Sequence, residues 1–263
     1  MSTENVDVAP YNDNIAIKIR DLKKRFSEDG EYILNGMDID IPRGKITMII
    51  GFSGTGKSVL LKHILGLLKP TSGSIEVLGQ DLNAMTPKQS AEFLKNFGVM
   101  FQYAALFDDM TALENACFPL KEHRRELSLL QREQIARKKL EMCGLDPKHY
   151  AKLPAELSGG MRKRVGLARA IALDPKILLY DEPTTGLDPV LTEMVDDLIK
   201  NTHEGIEDAT TVVISHDLHA AFRIGDIIIM LHEGKVIMRG TPAEFLSTDH
   251  PLVSRFVSKG VKK

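Results

Sequence analysis

The sequence predicts an α/β fold: a mostly parallel sheet covered by helices on both faces, with a helical segment inserted into the middle of the chain. Three observations carry this expectation. Apolar runs of strand length, Ile46–Ile50, Ile177–Tyr180 and Thr210–Ile214, alternate with segments of helical period, as strands buried on both faces do. Residues from about 103 to 176 contain few strand-like runs, which makes them the insertion. The length, 263 residues, suits one large domain or two closely fused lobes.

In chain order, residues 1–14 read as a polar arm, without the basic start and apolar core of a signal peptide. Ile15, Ile17 and Ile19 alternate with Ala16, Lys18 and Arg20, the period of a half-buried strand, and Met37, Ile39 and Ile41 repeat it until Pro42-Arg43-Gly44 turns the chain. Ile46–Ile50 is a buried strand that runs into a glycine-rich segment. Lys57–Leu67 has helical spacing and stops before the turn composition Lys69-Pro70-Thr71-Ser72-Gly73. Ser74–Leu78 is a short strand, and Thr86-Pro87 is an N-cap followed by proline in the first turn. Ser128–Cys143 is a charged amphipathic helix that Gly144 closes. Ile177–Tyr180, Thr210–Ile214 and Ile227–Leu231 return to strands, with helical spacing over Met194–Ile199 between the first two. Thr241-Pro242-Ala243-Glu244 is a capping box, and Val253–Val257 a last short helix. The principal domain therefore spans 15–240, with a helical tail over 241–263.

Lys and Arg total 34 against 36 Asp and Glu, so no general field gathers nucleic acid and a polyanion must be met locally. Cys117 and Cys143 are far apart, so neither a disulfide framework nor a thiolate metal site is expected. No apolar run approaches the roughly 18 residues needed to cross a bilayer.

Gly51-Phe52-Ser53-Gly54-Thr55-Gly56-Lys57-Ser58 satisfies GxxxxGK[ST] between an expected buried strand and an expected helix, the context this phosphate-binding loop requires. Its backbone N–H groups point at phosphate oxygens from the positive end of a helix dipole; Lys57 reaches the β- and γ-phosphates, and the Ser58 hydroxyl can ligate magnesium. Ile177–Tyr180 runs into Asp181-Glu182, two adjacent carboxylates at a strand end. Asp181 would hold magnesium through its water shell and Glu182 would act as general base or water-orienting group. Phe26, after the first strand, either stacks on an adenine ring or packs in the core. Leu157-Ser158-Gly159-Gly160-Met161 is a second anion-binding cap. With one phosphate loop per chain, that cap suits a nucleotide held by another copy.

These segments together resemble the ATP-binding-cassette (ABC) ATPases, over nearly the whole chain from Ile15 to Gly240. The resemblance implies a P-loop, RecA-like core with an antiparallel β subdomain and an inserted helical subdomain. Phe26 resembles the adenine-stacking aromatic, and Gln102 in Val99-Met100-Phe101-Gln102 the Q-loop glutamine that senses magnesium and the attacking water. Ser158–Met161 resembles the signature loop, Asp188 in Gly186-Leu187-Asp188 the D-loop, and His216 in Ile214-Ser215-His216-Asp217 the switch histidine that steadies the γ-phosphate. The family forms head-to-tail homodimers with two ATP molecules between phosphate loops and opposing signature loops. Val59 stands where many members carry Thr and Met161 where Gln is commoner, and neither change touches Lys57, Ser58, Asp181 or Glu182.

Such an ATPase serves a separate integral-membrane permease. The resemblance places the docking surface near Gln102–Phe118, drawn from Tyr103–Asp108 and Asn115–Pro119; Phe107 and Phe118 either meet the partner or pack within the helical lobe. Ser58-Val59-Leu60-Leu61-Lys62, Ala105-Leu106-Phe107-Asp108, Glu114-Asn115 with Phe118-Pro119-Leu120, and Met161-Arg162-Lys163-Arg164-Val165 are similar to one subgroup. It comprises the ATPases that work with mammalian-cell-entry (MCE) lipid-binding proteins, as in Mla lipid-asymmetry systems. That likeness implies phospholipid movement across a bacterial envelope, with the chain on the cytoplasmic face of the inner membrane. The alternatives are the motor of a small-solute importer and a cell-division ATPase that regulates envelope enzymes without transport.

Overall fold

The computed structural model describes residues 14–260; residues 1–13 of the expected polar arm lie outside them. The first half of the chain contributes β1 (Ile15–Lys24), β2 (Leu34–Pro42), β3 (Ile46–Gly51), α1 (Lys57–Ile64), β4 (Ser72–Val77), β5 (Gln80–Asp81), α2 (Pro87–Phe93) and β6 (Phe97–Met100). The helical stretch follows as α3 (Ala112–His123), α4 (Leu129–Met142) and α5 (Gly159–Ala170). The rest is β7 (Ile177–Asp181), α6 (Pro189–Glu204), β8 (Thr210–Ser215), α7 (Leu218–Ile224), β9 (Ile227–His232), β10 (Lys235–Gly240), α8 (Pro242–Leu246) and α9 (Pro251–Gly260).

The main sheet has the order β10-β9-β3-β8-β7-β6 and is parallel except for the antiparallel edge strand β10. A second, antiparallel sheet has the order β2-β1-β4-β5. Every residue of β3 is buried, and its two-residue period feeds two cores. Met48 and Ile50 join Met100, Tyr180, Val213 and the helices on one face, whereas Ile49 joins α1 and the inward side chains of β1 and β2 on the other. The helical stretch is welded to the first core through Ala116, Leu120, Ala136, Leu140 and Cys143.

Capping explains where the helices start. The hydroxyls of Thr86, Thr111, Ser128 and Thr241 each accept from the N3 amide, and the N3 Gln or Glu answers to the cap backbone. Several elements differ from the sequence expectation. Helix α1 ends at Ile64 rather than Leu67, because Gly66 turns the chain at φ +67° and the amides of Leu67 and Leu68 fold back to the Lys62 carbonyl. Strands β5, β6 and β10 also stand where no strand was expected.

Because β3, β8 and β7 are adjacent and parallel, Gly51, Ser215 and Asp181 emerge together at one edge of the sheet. The carboxyl ends of parallel strands are where α/β sheets place ligand sites.

Candidate active site

The loop after β3 turns into α1 through Gly56, which sits at φ +96°. A Cβ there would lie 2.7 Å from Leu34 Cδ2 and 3.0 Å from the Ile33 carbonyl, so both conformation and space demand glycine. Thr55 is buried and donates to the Phe52 carbonyl at 2.9 Å, which closes the loop on itself. Phe52, Ser53, Gly54 and Ser58 are exposed, while Gly51 and Lys57 are buried. The Lys57 ammonium donates to the carbonyls of Gly51 (2.8 Å) and Phe52 (3.1 Å) and lies 3.9 Å from Glu182 Oε1. Burial pushes its pKa down, opposed by Glu182 and then Asp181.

The two carboxylates occupy different environments. Asp181 ends β7, and its Oδ1 is buried without a hydrogen-bond partner. Burial, followed by repulsion from Glu182, raises its pKa. Glu182 turns out of the strand at φ +49°, with its amide fixed to the Ile214 carbonyl of β8 at 2.8 Å. Its Oε2 accepts from His216 Nδ1–H at 2.6 Å and from the Thr185 hydroxyl at 3.2 Å. His216 Nδ1 is thus engaged by Glu182.

The residues also fit magnesium. Asp181 Oδ1 is an orphaned acceptor, and among the described residues no cluster of three His, Cys, Asp or Glu competes for the ion. Magnesium retains water and needs few protein oxygens beside substrate phosphates, so Asp181 and the Ser58 hydroxyl are a suitable pair.

Lys57, Asp181, Glu182 and His216 therefore come together. Of these, His216 opens onto a cleft of about 710 Å³ that is also walled by Phe52, Thr184, Leu187, Arg255 and Phe256. Asp188, exposed at one end of this wall, caps α6 by accepting from the Leu191 amide at 2.9 Å. The remaining site residues are carried elsewhere. Phe26 is 63% exposed, which leaves the core alternative behind and presents the ring for stacking. Val59 is half-buried in α1, where its carbonyl accepts from His63 Nδ1 at 2.7 Å. Gln102 is half-buried and donates to the Tyr103 hydroxyl at 3.3 Å. Exposed Ser158 caps α5 through the Met161 amide at 3.3 Å, and half-buried Gly159, Gly160 and Met161 form the first turn.

Helix α5 ties these parts to the ends of the parallel strands, through contacts that only the folded chain reveals. Buried Lys163 donates to the Pro183 carbonyl, directly behind Glu182. Arg169 holds the carbonyls of Ala104 (2.7 Å) and Ala105 (2.8 Å), both in left-handed conformations just after Gln102. Asn115 and Ala116, expected in the docking surface, are fully buried. Asn115 instead fastens the preceding loop, bonding the Phe107 amide and the carbonyls of Phe107 and Met110 at 2.9 to 3.1 Å. The most exposed side chain of that surface is Tyr103, 81% exposed, and beside it Phe107 lies tilted against Phe118 with ring centroids 4.5 Å apart and Arg169 over the Phe107 ring.

Among the described residues no helix is long and apolar enough to cross a membrane. The family model described as "ABC transporter" matches residues 34–185. A probable ribonucleotide transport ATP-binding protein, mkl, from Mycobacterium leprae is 41% identical over 93% of this chain and 69% of its own length. The intermembrane phospholipid transport system ATP-binding protein MlaF of Haemophilus influenzae is 39% identical over 94% of this chain and 91% of its own. Among solved structures, a dimeric ATP-binding cassette in a post-hydrolysis state with ADP and Pi superposes with a TM-score of 0.77 at 33% identity, covering 86% of this chain and 98% of that one.

Proposed function

This chain belongs to the ABC transporter family as an ATP-hydrolysing subunit, and on that premise we propose that it drives phospholipid movement across a bacterial envelope. The observation that carries the cargo is the near end-to-end match to MlaF, 94% of this chain and 91% of that one, where mkl is matched over only 69% of its length.

In the reaction proposed, ATP enters with its phosphates along the loop Gly51–Ser58 and its adenine against Phe26. Lys57 trades the Gly51 and Phe52 carbonyls, 2.8 and 3.1 Å away, for phosphate oxygens, a stronger charge-assisted contact. Glu182, held by His216 and Thr185, orients the attacking water and takes its proton. His216 Nε2 meets the γ-phosphate, and Gln102 carries the state of the site to the loop beside Tyr103. Magnesium, when bound through Ser58 and Asp181 with Gln102 nearby, supplies charge neutralisation at the β- and γ-phosphates. Ser158–Met161 and Asp188 complete the site of a second copy, so the working unit is a homodimer.

The permease docks over Tyr103 and Phe107, an MCE lipid-binding protein completes the assembly on the far side, and the ATPase sits on the cytoplasmic face of the inner membrane without touching nucleic acid. Extraction of the tagged protein in mild detergent, followed by mass spectrometry, tests this. A polytopic permease with an MCE-domain protein and phospholipid supports lipid transport. A solute-binding protein, or a division-site partner without lipid, retires it and leaves the ATPase standing.

A further inference from the structure

The hairpin that carries Phe26 is clamped between two glycines far apart in sequence. Residues 24 to 33 close as a loop when the Ile33 amide donates to the Lys24 carbonyl at 2.8 Å. Lys24 sits 5.2 Å from the Phe26 ring centroid and donates to the Lys69 carbonyl at 2.8 Å, while Arg25 lies over Tyr32 at 5.4 Å. On one side the Ile33 carbonyl approaches Gly56 of the phosphate loop, 3.0 Å from where a Cβ would stand. On the other it meets Gly234, in the turn between β9 and β10, where a Cβ would lie 2.6 Å from the Ile33 carbonyl oxygen and 3.1 Å from its carbon. The Asn35 amide donates to the Gly234 carbonyl at 2.8 Å, which locks the contact. The end of β9 closes the circle, since the Leu231 carbonyl would lie 2.5 Å from a Cβ on Gly51. The hairpin therefore meets the β9–β10 turn through main-chain atoms alone, whereas its contact with the phosphate loop at Gly56 also includes the Leu34 side-chain tip.

We propose that Gly234 is a positioning residue for the nucleotide base: by admitting the Ile33 carbonyl, it sets the distance between the Phe26 ring and the phosphate loop. The proposal rests on the assignment of Phe26 to adenine. The contact involves main-chain atoms on both sides, so a methyl group at Gly234 displaces the hairpin rather than a side chain tip. That displacement moves the base platform while the phosphate loop keeps its anchors in β3 and α1.

The test compares Mg·ATP with Mg·tripolyphosphate, which has the phosphates and no base, by calorimetry on the full chain. Gly234→Ala is expected to weaken ATP by about tenfold, the scale of one lost base–aromatic stack. Tripolyphosphate should stay within about twofold, and the same variant should raise KM for ATP with little change in kcat. Because Gly234 has φ +71°, Gly44→Ala is the control for strain alone: it has φ +63° and no atom within 4 Å of an added Cβ, and both ligands should bind as before. Equal loss of both ligands in Gly234→Ala, through a distorted loop or misfolding, or no loss of either, overturns the proposal. Phe26→Ala separates the two layers. If it spares ATP affinity, the stacking assignment fails; if it selectively loses ATP while Gly234→Ala does not, only the positioning role fails.

Discussion

Replacing Glu182 by glutamine should stop turnover while leaving ATP bound. The side chain keeps its size, so the Thr185 and His216 contacts at 3.2 and 2.6 Å can be approximated by the amide oxygen, and the backbone at φ +49° remains pinned to Ile214. What disappears is the carboxylate that takes a proton from water. A positioned general base contributes about 10²–10⁴-fold, or roughly 3–5 kcal/mol of barrier. Removing the negative charge 3.9 Å from the Lys57 ammonium also frees that lysine for phosphate, so ATP affinity should hold or rise. Phosphate release under saturating Mg·ATP reads the first quantity and equilibrium binding of ATP the second. A variant that turns over within tenfold of the parent would show that another group handles the water.

Lys57→Ala should lose ATP use altogether, read as phosphate release and as loss of ATP binding in calorimetry. Ser158→Arg should spare ATP binding by single chains and prevent the ATP-loaded dimer that Glu182→Gln accumulates, seen as a monomer elution volume with ATP trapped. Asp196 gives a pH signature. It is 2% exposed in α6, with Oδ1 unpartnered and Arg223 at 3.4 Å, and burial, then Asp217, pushes its pKa up to about 7. Between an unfolded value of about 4 and that raised value the native chain holds the extra proton, so this group's contribution to stability falls as pH rises through the window. Asp196→Asn should therefore gain on the parent between pH 5 and pH 8, by up to about 3 kcal/mol, the roughly two pH units of that window that lie below the raised value. Urea unfolding at the two pH values checks it, and a parent that gains on the variant with rising pH contradicts the assignment.

Much of the architecture was legible because hydrophobic period and capping chemistry are local. Ile15–Arg20, Ile46–Ile50 and Thr210–Ile214 announce strands, and Thr86, Ser128 and Thr241 announce helix starts. Strand β6 was not legible: Phe97–Met100 is four residues with a glycine inside, and its strand state comes from pairing with β7. The antiparallel sheet followed from the family resemblance, since strand pairing partners are not encoded in any one run. At the site, the loop residues and Asp181-Glu182 stand out by motif. The roles of Asn115, Lys163 and Arg169 were not legible, even where a motif contained them, because those roles lie in carbonyls at Phe107, Pro183 and Ala104 that only the folded chain brings to them. Asn115 was expected on the docking surface because the family resemblance places that surface by sequence segment, and a segment does not say which of its side chains turn inward.

The central claim is that ATP hydrolysis at this site moves lipid. The co-purified complex, reconstituted in vesicles carrying a fluorescent phospholipid, tests it most directly. The account predicts that ATP accelerates lipid transfer to acceptor vesicles with the parent chain and not with Lys57→Ala or Glu182→Gln. ATP hydrolysis that proceeds in the parent complex without any change in lipid transfer would contradict it.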